Sequence, residues 1–159
     1  MGKILIADRK QAVYNRLRSP MEHAGYTVHN SDNLWDALAL QAAEPIQAVI
    51  IDLSMPEMVG WMLLRSIRTQ GSWPLRIALV DADPGFDRNQ MLSTACRAGA
   101  DCALQRHVTA QTLIDTLQTR LSDVKGEQAE AHQGSIAVEF DTRNPMVFRS
   151  AHMVKADHC

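Results

Sequence analysis

A single carboxylate, Asp52, follows four apolar residues, 48–51, that suit a strand buried on both faces. A Met-Pro step and Gly60 then open the next helical segment. An aspartate at the carboxyl end of a buried strand lies where α/β sheets place their chemistry. Further charged residues follow apolar segments in the same way, and they are Asp8, Arg9, Asp81 and Arg106. The chemistry expected here is that of carboxylates with guanidinium groups beside them.

Five short apolar segments predict the strands that would position these charges. They are residues 3–7, 26–29, 48–51, 75–80 and 101–105. Helically spaced apolar residues predict five helices, at 11–24, from a cap at Ser31 or Asp32 to Pro45, at 59–69, at 87–98 and after Thr109. This alternation predicts a doubly wound parallel sheet, and right-handed crossovers favour the flavodoxin-like order 2-1-3-4-5. That order brings all five charged residues to the end of the sheet at which the parallel strands terminate.

The third predicted helix, at 59–69, carries a broad apolar face. We expect four of its residues to face the core, and they are Met62, Leu63, Leu64 and Ile67.

The composition changes near the C-terminal end of the sequence. Residues 1–122 are predicted to form the α/β domain, and residues 123–134 are polar and typical of a linker. Residues 135–159 form a β-rich extension in which two apolar segments flank the turn-forming residues 141–144, a pattern that predicts a hairpin. Because a lone hairpin is only marginally stable, we expect it to pack on another surface. Alternatively, an output domain begins after residue 135 and the chain is a regulatory fragment.

The bulk properties exclude several classes of partner. The chain has 159 residues, 46% of them hydrophobic, and a formal net charge of −2, so it lacks a basic excess for nucleic acid or an anionic membrane. No segment approaches the roughly 18 apolar residues of a membrane span. The N-terminus shows no signal-peptide layout. We therefore expect a cytoplasmic protein.

The order Asp-x-x-Met-Pro-x-Met-x-Gly, from Asp52 to Gly60, resembles the phosphoacceptor segment of receiver domains in two-component response regulators. The resemblance covers about residues 3–121. It implies that Asp52 accepts a phosphoryl group, and that Asp8, Asp52 and the carbonyl of Ser54 hold Mg²⁺. It also places Asp81 and Arg106 at two further catalytic positions of the family.

Several positions depart from the family pattern. Arg9 stands where the family has a second metal-binding acid, Asp81 where it has a hydroxyl, and Arg106 where it has a lysine. The family's acid before the glycine, its aromatic switch residue and its proline after the lysine are replaced by Val59, Ala103 and His107. The residues with which the family couples phosphorylation to a conformational change are therefore altered here.

Charge counting suggests what these departures do. Three acids against two arginines attract a divalent cation less strongly than the family's three acids against one lysine. Two unit charges about 4 Å apart interact by roughly 4 kcal/mol at an effective dielectric constant near 20, so Arg9 paired with Asp52 or Asp81 would compete with Mg²⁺. We therefore predict an ion-pair network that replaces metal and phosphate, formed by Asp8, Arg9, Asp52, Asp81 and Arg106.

These features together predict an atypical receiver domain, which is not an enzyme beyond accepting a phosphoryl group. It would act through protein–protein interaction in a phosphorelay pathway, with phosphorylation of Asp52 impaired or absent. The expected partners are a histidine kinase or a downstream effector, or a second copy bound through the helix 4–strand 5–helix 5 face or the C-terminal tail. No cofactor, or weakly bound Mg²⁺, is expected. The alternative is a functional phosphoacceptor that uses Asp52 and Mg²⁺.

Overall fold

A parallel sheet of five strands organises the computed structural model, which describes residues 2–69, 74–81, 85 and 87–133. The strands are β1 (Lys3–Ala7), β2 (Thr27–Ser31), β3 (Ile46–Asp52), β4 (Leu75–Val80) and β5 (Cys102–Gln105). Their spatial order is β2-β1-β3-β4-β5, with β2 and β5 at the edges. All neighbouring pairs are parallel. The predicted flavodoxin-like order is confirmed.

Helices alternate with these strands throughout the described part of the chain. They are α1 (Ala12–His23), α2 (Leu34–Ala43), α3 (Val59–Thr69), α4 (Arg88–Ala98) and α5 (Ala110–Gln133), and a short 3₁₀ turn, Pro56–Met58, precedes α3. None of these helices combines the length and the apolar character needed to cross a membrane. The boundaries of α3 and β4 agree with those predicted from the sequence.

The two faces of the sheet bury separate apolar clusters. Successive residues of a strand point to opposite faces, so Ile50 joins the cluster under α1 and α5 while Ile51 joins the cluster under α2, α3 and α4. Both side chains are fully buried. A strand covered on both faces needs an unbroken apolar segment, which explains why 48–51 contains no polar residue.

The cap of α2 differs from the predicted one. The side chain of Asn33 accepts a hydrogen bond from the backbone N–H of Asp36 at 2.9 Å, so Asn33 is the cap rather than Ser31 or Asp32. The reason is that β2 extends as far as Ser31, where the hydroxyl donates to the backbone carbonyl of Asn33. The helix therefore starts later than the sequence suggested.

The buried face of α3 is narrower than predicted. Leu63, Leu64 and Ile67 are buried, but Met62 is 50% exposed. Residues 62 and 63 are separated by about 100° around the helix axis, and only the second of them faces the sheet.

Helix α5 runs beyond the end of the predicted domain. The hydroxyl of Thr109 accepts a bond from the N–H of Thr112 at 3.1 Å, as expected of a cap. The helix continues to Gln133, so residues 123–133, which the polar composition predicted as a linker, have helical backbone. The predicted extension at 135–159 and its hairpin lie outside the described residues.

Candidate functional site

The carboxylate of Asp52 lies at the end of β3 and is engaged at both oxygens. Oδ1 accepts hydrogen bonds from the N–H of Ser54 at 2.9 Å and from its hydroxyl at 2.6 Å. Oδ2 accepts from Nε of Arg106 at 3.0 Å. The residue is 2% exposed, so these bonds replace most of the water that an ionised carboxylate needs. Asp52 is therefore ion-paired and held in one orientation.

Arg106 is the cation shared by two carboxylates. It follows β5 directly, and its backbone N–H donates to the carbonyl of Val80 at 2.8 Å, which extends the sheet by one bond. Its Nη1 lies 3.8 Å from Oδ2 of Asp81. Because β3, β4 and β5 are parallel neighbours, their last residues meet at the carboxyl-terminal end of the sheet. The fold thus brings together Asp52, Asp81 and Arg106.

His107 lies at the solvent side of this group. Its Nε2 is 3.7 Å from Oδ1 of Asp81, and its side chain is 81% exposed. Asp81 itself is 44% exposed at its side chain, so its contacts with Arg106 and His107 are screened by water. The buried Asp52–Arg106 pair is therefore the central contact of the site.

Asp8 binds backbone amides rather than a cation. Its Oδ2 accepts from the N–H groups of Val13 at 2.6 Å and Tyr14 at 3.2 Å, and its Oδ1 accepts from the N–H of Lys10 at 3.1 Å. The formal cap residue of α1, Gln11, has φ 58° and its side chain makes no capping bond. Asp8 therefore supplies the acceptors that the first turn of α1 would otherwise lack. It lies at the predicted edge, but it forms no ion pair with the described residues.

Arg9 stands apart from the predicted network. It is an exposed residue of the turn between β1 and α1, and it forms no ion pair with any residue that the structure describes. The expected pairing of Arg9 with Asp52 or Asp81 is thus corrected. The reason is local, because the turn that directs Asp8 onto the amides of α1 leaves the next side chain in solvent.

Replacing Asp8 with alanine is expected to lower the free energy of unfolding by about 1.5 kcal/mol, because three amides lose their acceptor at the start of α1. Urea denaturation followed by circular dichroism measures this loss. Asp32→Ala is the matched control, since Asp32 is exposed and accepts one bond from the side chain of Asn33. Its expected change is within about 0.5 kcal/mol. Equal losses in the two variants would contradict the capping role.

A glycine allows α3 to begin against this site. A Cβ added to Gly60 would lie 2.5 Å from the backbone oxygen of Asp52 and 3.1 Å from Cα of Leu53. The preceding residues Glu57 and Met58 both have φ 60°, a region that L-residues adopt at a cost. The turn between β3 and α3 is therefore tightly constrained, and Met58 is 62% exposed on it.

Comparison with known proteins identifies the family. The family model described as the response regulator receiver domain matches residues 4–118. The chain belongs to this receiver-domain family. Receiver domains are signalling modules that interact with histidine kinases and effector proteins, so the resemblance drawn from residues 52–60 is confirmed at this level.

Curated relatives of this receiver domain are longer proteins. Response regulator MprA of Mycobacterium ulcerans is 29% identical over 138 residues, which cover 87% of this chain and 57% of that protein. Sensory/regulatory protein RpfC of Xanthomonas campestris pv. campestris is 27% identical over 139 residues, covering 87% of this chain and 19% of that protein. The chain thus spans just over half of one relative and about a fifth of the other.

Solved structures support the same fold. A CheY-like receiver domain from Methanospirillum hungatei has a TM-score of 0.68 at 22% identity and covers 80% of this chain and 98% of that one. The receiver domain of an HD domain-containing protein from Pseudomonas fluorescens has a TM-score of 0.68 at 26% identity and covers 80% and 92% of the two chains.

Hydrogen bonds within this receiver domain occupy several of the oxygens that would hold Mg²⁺. Mg²⁺ demands several oxygen ligands in near-octahedral geometry. Among the described residues no three His, Cys, Asp or Glu side chains are grouped to hold a metal. The oxygens of Asp8 already accept three amide bonds, and Oδ2 of Asp52 faces the guanidinium of Arg106. The carboxylates of the predicted metal residues Asp8 and Asp52 therefore already have other partners. The predicted role of the Ser54 carbonyl as a metal ligand stays a prediction.

A cleft of about 460 Å³ opens between α4, β5 and α5. Leu92, Ala103 and Arg120 are among its lining residues. Ala103, which the resemblance places at the family's aromatic switch position, contributes only a methyl group to the lining of this cleft. Burial raises the pKa of the Cys102 thiol, which also lines the cleft, so that thiol stays protonated at neutral pH and is a poor nucleophile.

Two contributions to the site were missed from the sequence. Ser54 was considered only for its carbonyl, whereas its N–H and hydroxyl both bind Asp52. Arg16 was not considered at all, although its guanidinium contacts the backbone of Arg106 from α1. An exposed arginine on an amphipathic helix carries no sequence signal that would distinguish it from a solvated one.

Proposed function

We propose that this receiver domain is an atypical signalling module of a two-component pathway, in which an internal ion pair impairs or abolishes phosphorylation of Asp52. The observation that carries the proposal is the 3.0 Å bond from Nε of Arg106 to Oδ2 of Asp52. A nucleophilic carboxylate needs a free lone pair aimed at phosphorus. In Asp52 one oxygen is bound to Arg106 and the other to Ser54, so whichever oxygen attacks must first be released from its partner.

Asp81 adds a second obstacle to phosphoryl transfer. The family position carries a hydroxyl that donates a hydrogen bond to the phosphoryl group, and an ionised carboxylate cannot donate. Its negative charge would also repel the transferred group. Arg106 contacts both Asp52 and Asp81, so it balances one of their two negative charges internally.

Such a domain would signal through the surface that it presents to partners without being phosphorylated. The cleft lined by Ala103 supports the face formed by α4, β5 and α5 as the contact surface for a histidine kinase, a downstream effector or a second copy of the chain. Large apolar side chains of a partner could enter a cleft of this size.

Intact-protein mass spectrometry after incubation with acetyl phosphate and Mg²⁺ tests the proposal. We expect the wild type to gain no phosphoryl group, because Arg106 and Asp81 oppose the transfer. The variant Arg9→Asp/Asp81→Thr/Arg106→Lys restores the family residues at these three positions and should gain one phosphoryl group. Adding Asp52→Asn to that variant is the control, and it should abolish labelling.

Rapid labelling of the wild type, lost in Asp52→Asn, would contradict this proposal. It would favour the alternative, a functional phosphoacceptor. Circular dichroism of each variant establishes that the fold is retained.

A further inference from the structure

Arg16 connects α1 to the turn that follows β5. Its Nη2 donates to the backbone carbonyl of Arg106 at 2.6 Å, and its Nη1 donates to the carbonyl of Val108. The side chain is exposed and lies on the outer surface of α1. A planar guanidinium can serve two carbonyls at once because its donors form a rigid fork.

The turn held by Arg16 also positions the side chain of Arg106. The N–H of Val108 donates to the carbonyl of Gln105 at 2.9 Å, which closes a tight turn at the end of β5. The N–H of Arg106 is fixed to Val80 of β4, and its carbonyl is fixed by Arg16. Both peptide groups that flank the Arg106 side chain are therefore held, one by the sheet and one by α1.

We propose that Arg16 is a positioning residue that fixes this turn and thereby directs the guanidinium of Arg106 onto Asp52. The inference rests on the proposed function, because it concerns how the pair that opposes phosphorylation is kept in place. Without Arg16, the carbonyls of Arg106 and Val108 would bind water, and the turn could adopt other orientations. The Arg106 side chain would then leave Oδ2 of Asp52 more often.

Hydrogen exchange of the Nε–H of Arg106, measured by NMR on the full chain, tests this role. The signal is assigned by its disappearance in Arg106→Lys. We expect exchange in Arg16→Ala to be about tenfold faster than in the wild type, because two charge-assisted bonds to the turn are lost. Arg16→Lys should give an intermediate rate, since one ammonium group can serve one carbonyl well and the second poorly.

Arg18→Ala is the matched control. Arg18 is an exposed arginine of the same helix, but it donates to Glu22 at 2.9 Å instead of to the turn. Its replacement removes the same charge and should leave the exchange rate of Arg106 within about twofold of the wild type.

The possible outcomes separate the two proposals. If the Nε–H of Arg106 is protected in the wild type and equally protected in Arg16→Ala, the positioning role is overturned while the Asp52 pair stands. If the Nε–H exchanges in the wild type as fast as in an exposed arginine, the pair itself is overturned, and the proposed function fails with it. Faster exchange in Arg16→Ala with partial rescue in Arg16→Lys supports the positioning role.

Discussion

Replacing Gly60 with alanine is expected to lower the free energy of unfolding by about 3 kcal/mol. The added Cβ would lie 2.5 Å from the backbone oxygen of Asp52, and backbone atoms cannot yield as a flexible side chain can. The start of α3 must therefore move away from the end of β3. In an unhindered helix the same substitution stabilises by up to about 1 kcal/mol, so the close approach reverses the sign.

Chemical denaturation of the Gly60→Ala variant measures this effect, and the chain offers a control. A Cβ on Gly85 would meet no atom within 4 Å, so Gly85→Ala is expected to change stability by less than about 0.5 kcal/mol. A Gly60→Ala variant as stable as the wild type would show that α3 does not approach β3 this closely. Because the crowded backbone oxygen belongs to Asp52, the variant should also disturb the Asp52–Arg106 bond.

Replacing Arg106 with methionine is expected to lower the free energy of unfolding by about 2 kcal/mol. The methionine preserves much of the apolar stem, so the loss reports the charge. Asp52 is 2% exposed and would keep only its bonds to Ser54, which leaves a buried carboxylate without a cation. Arg106→Lys keeps the positive charge, so its free energy of unfolding should fall less than that of the methionine variant.

A double-mutant cycle assigns this loss to the pair. In the Asp52→Asn background, Arg106→Met should lower the free energy of unfolding much less than it does in the wild type, because no buried negative charge remains to be neutralised. Arg65→Met is the matched control, since Arg65 is an exposed arginine of α3, and it should change stability by less than about 0.5 kcal/mol. Strict additivity of the Asp52 and Arg106 substitutions would contradict the pair.

The fold was predictable because its signals are local and agree with one another. The apolar segment at 48–51 suits a strand covered on both faces, and the alternation of strands and helices left few topologies. The cap of α2 was misplaced because Ser31, Asp32 and Asn33 are all good caps, and only the pairing of β2 with β1 shows where the strand ends. The exposure of Met62 depends in the same way on how α3 packs.

The candidate site was predictable in part. Asp52, Asp81 and Arg106 follow adjacent parallel strands, so their proximity follows from strand order alone. Asp8 and Arg9 also follow a strand, but their side chains are directed by the turn into α1. A turn conformation such as φ 58° at Gln11 is not encoded in the charge pattern, so charge counting placed Arg9 in the network by default.

By itself the sequence determined the layered α/β architecture, the receiver family and the edge of the sheet at which the charged residues collect, because periodicity and motif order are properties of the chain. Only the tertiary structure decided which charges pair. It assigned Asp8 to the amides of α1, left Arg9 in solvent and directed Arg106 onto Asp52. The physical reason is that ion pairing depends on ångström-scale distances and on burial, and both are set by turns and by contacts between residues far apart in sequence, such as Arg16 with the turn after β5.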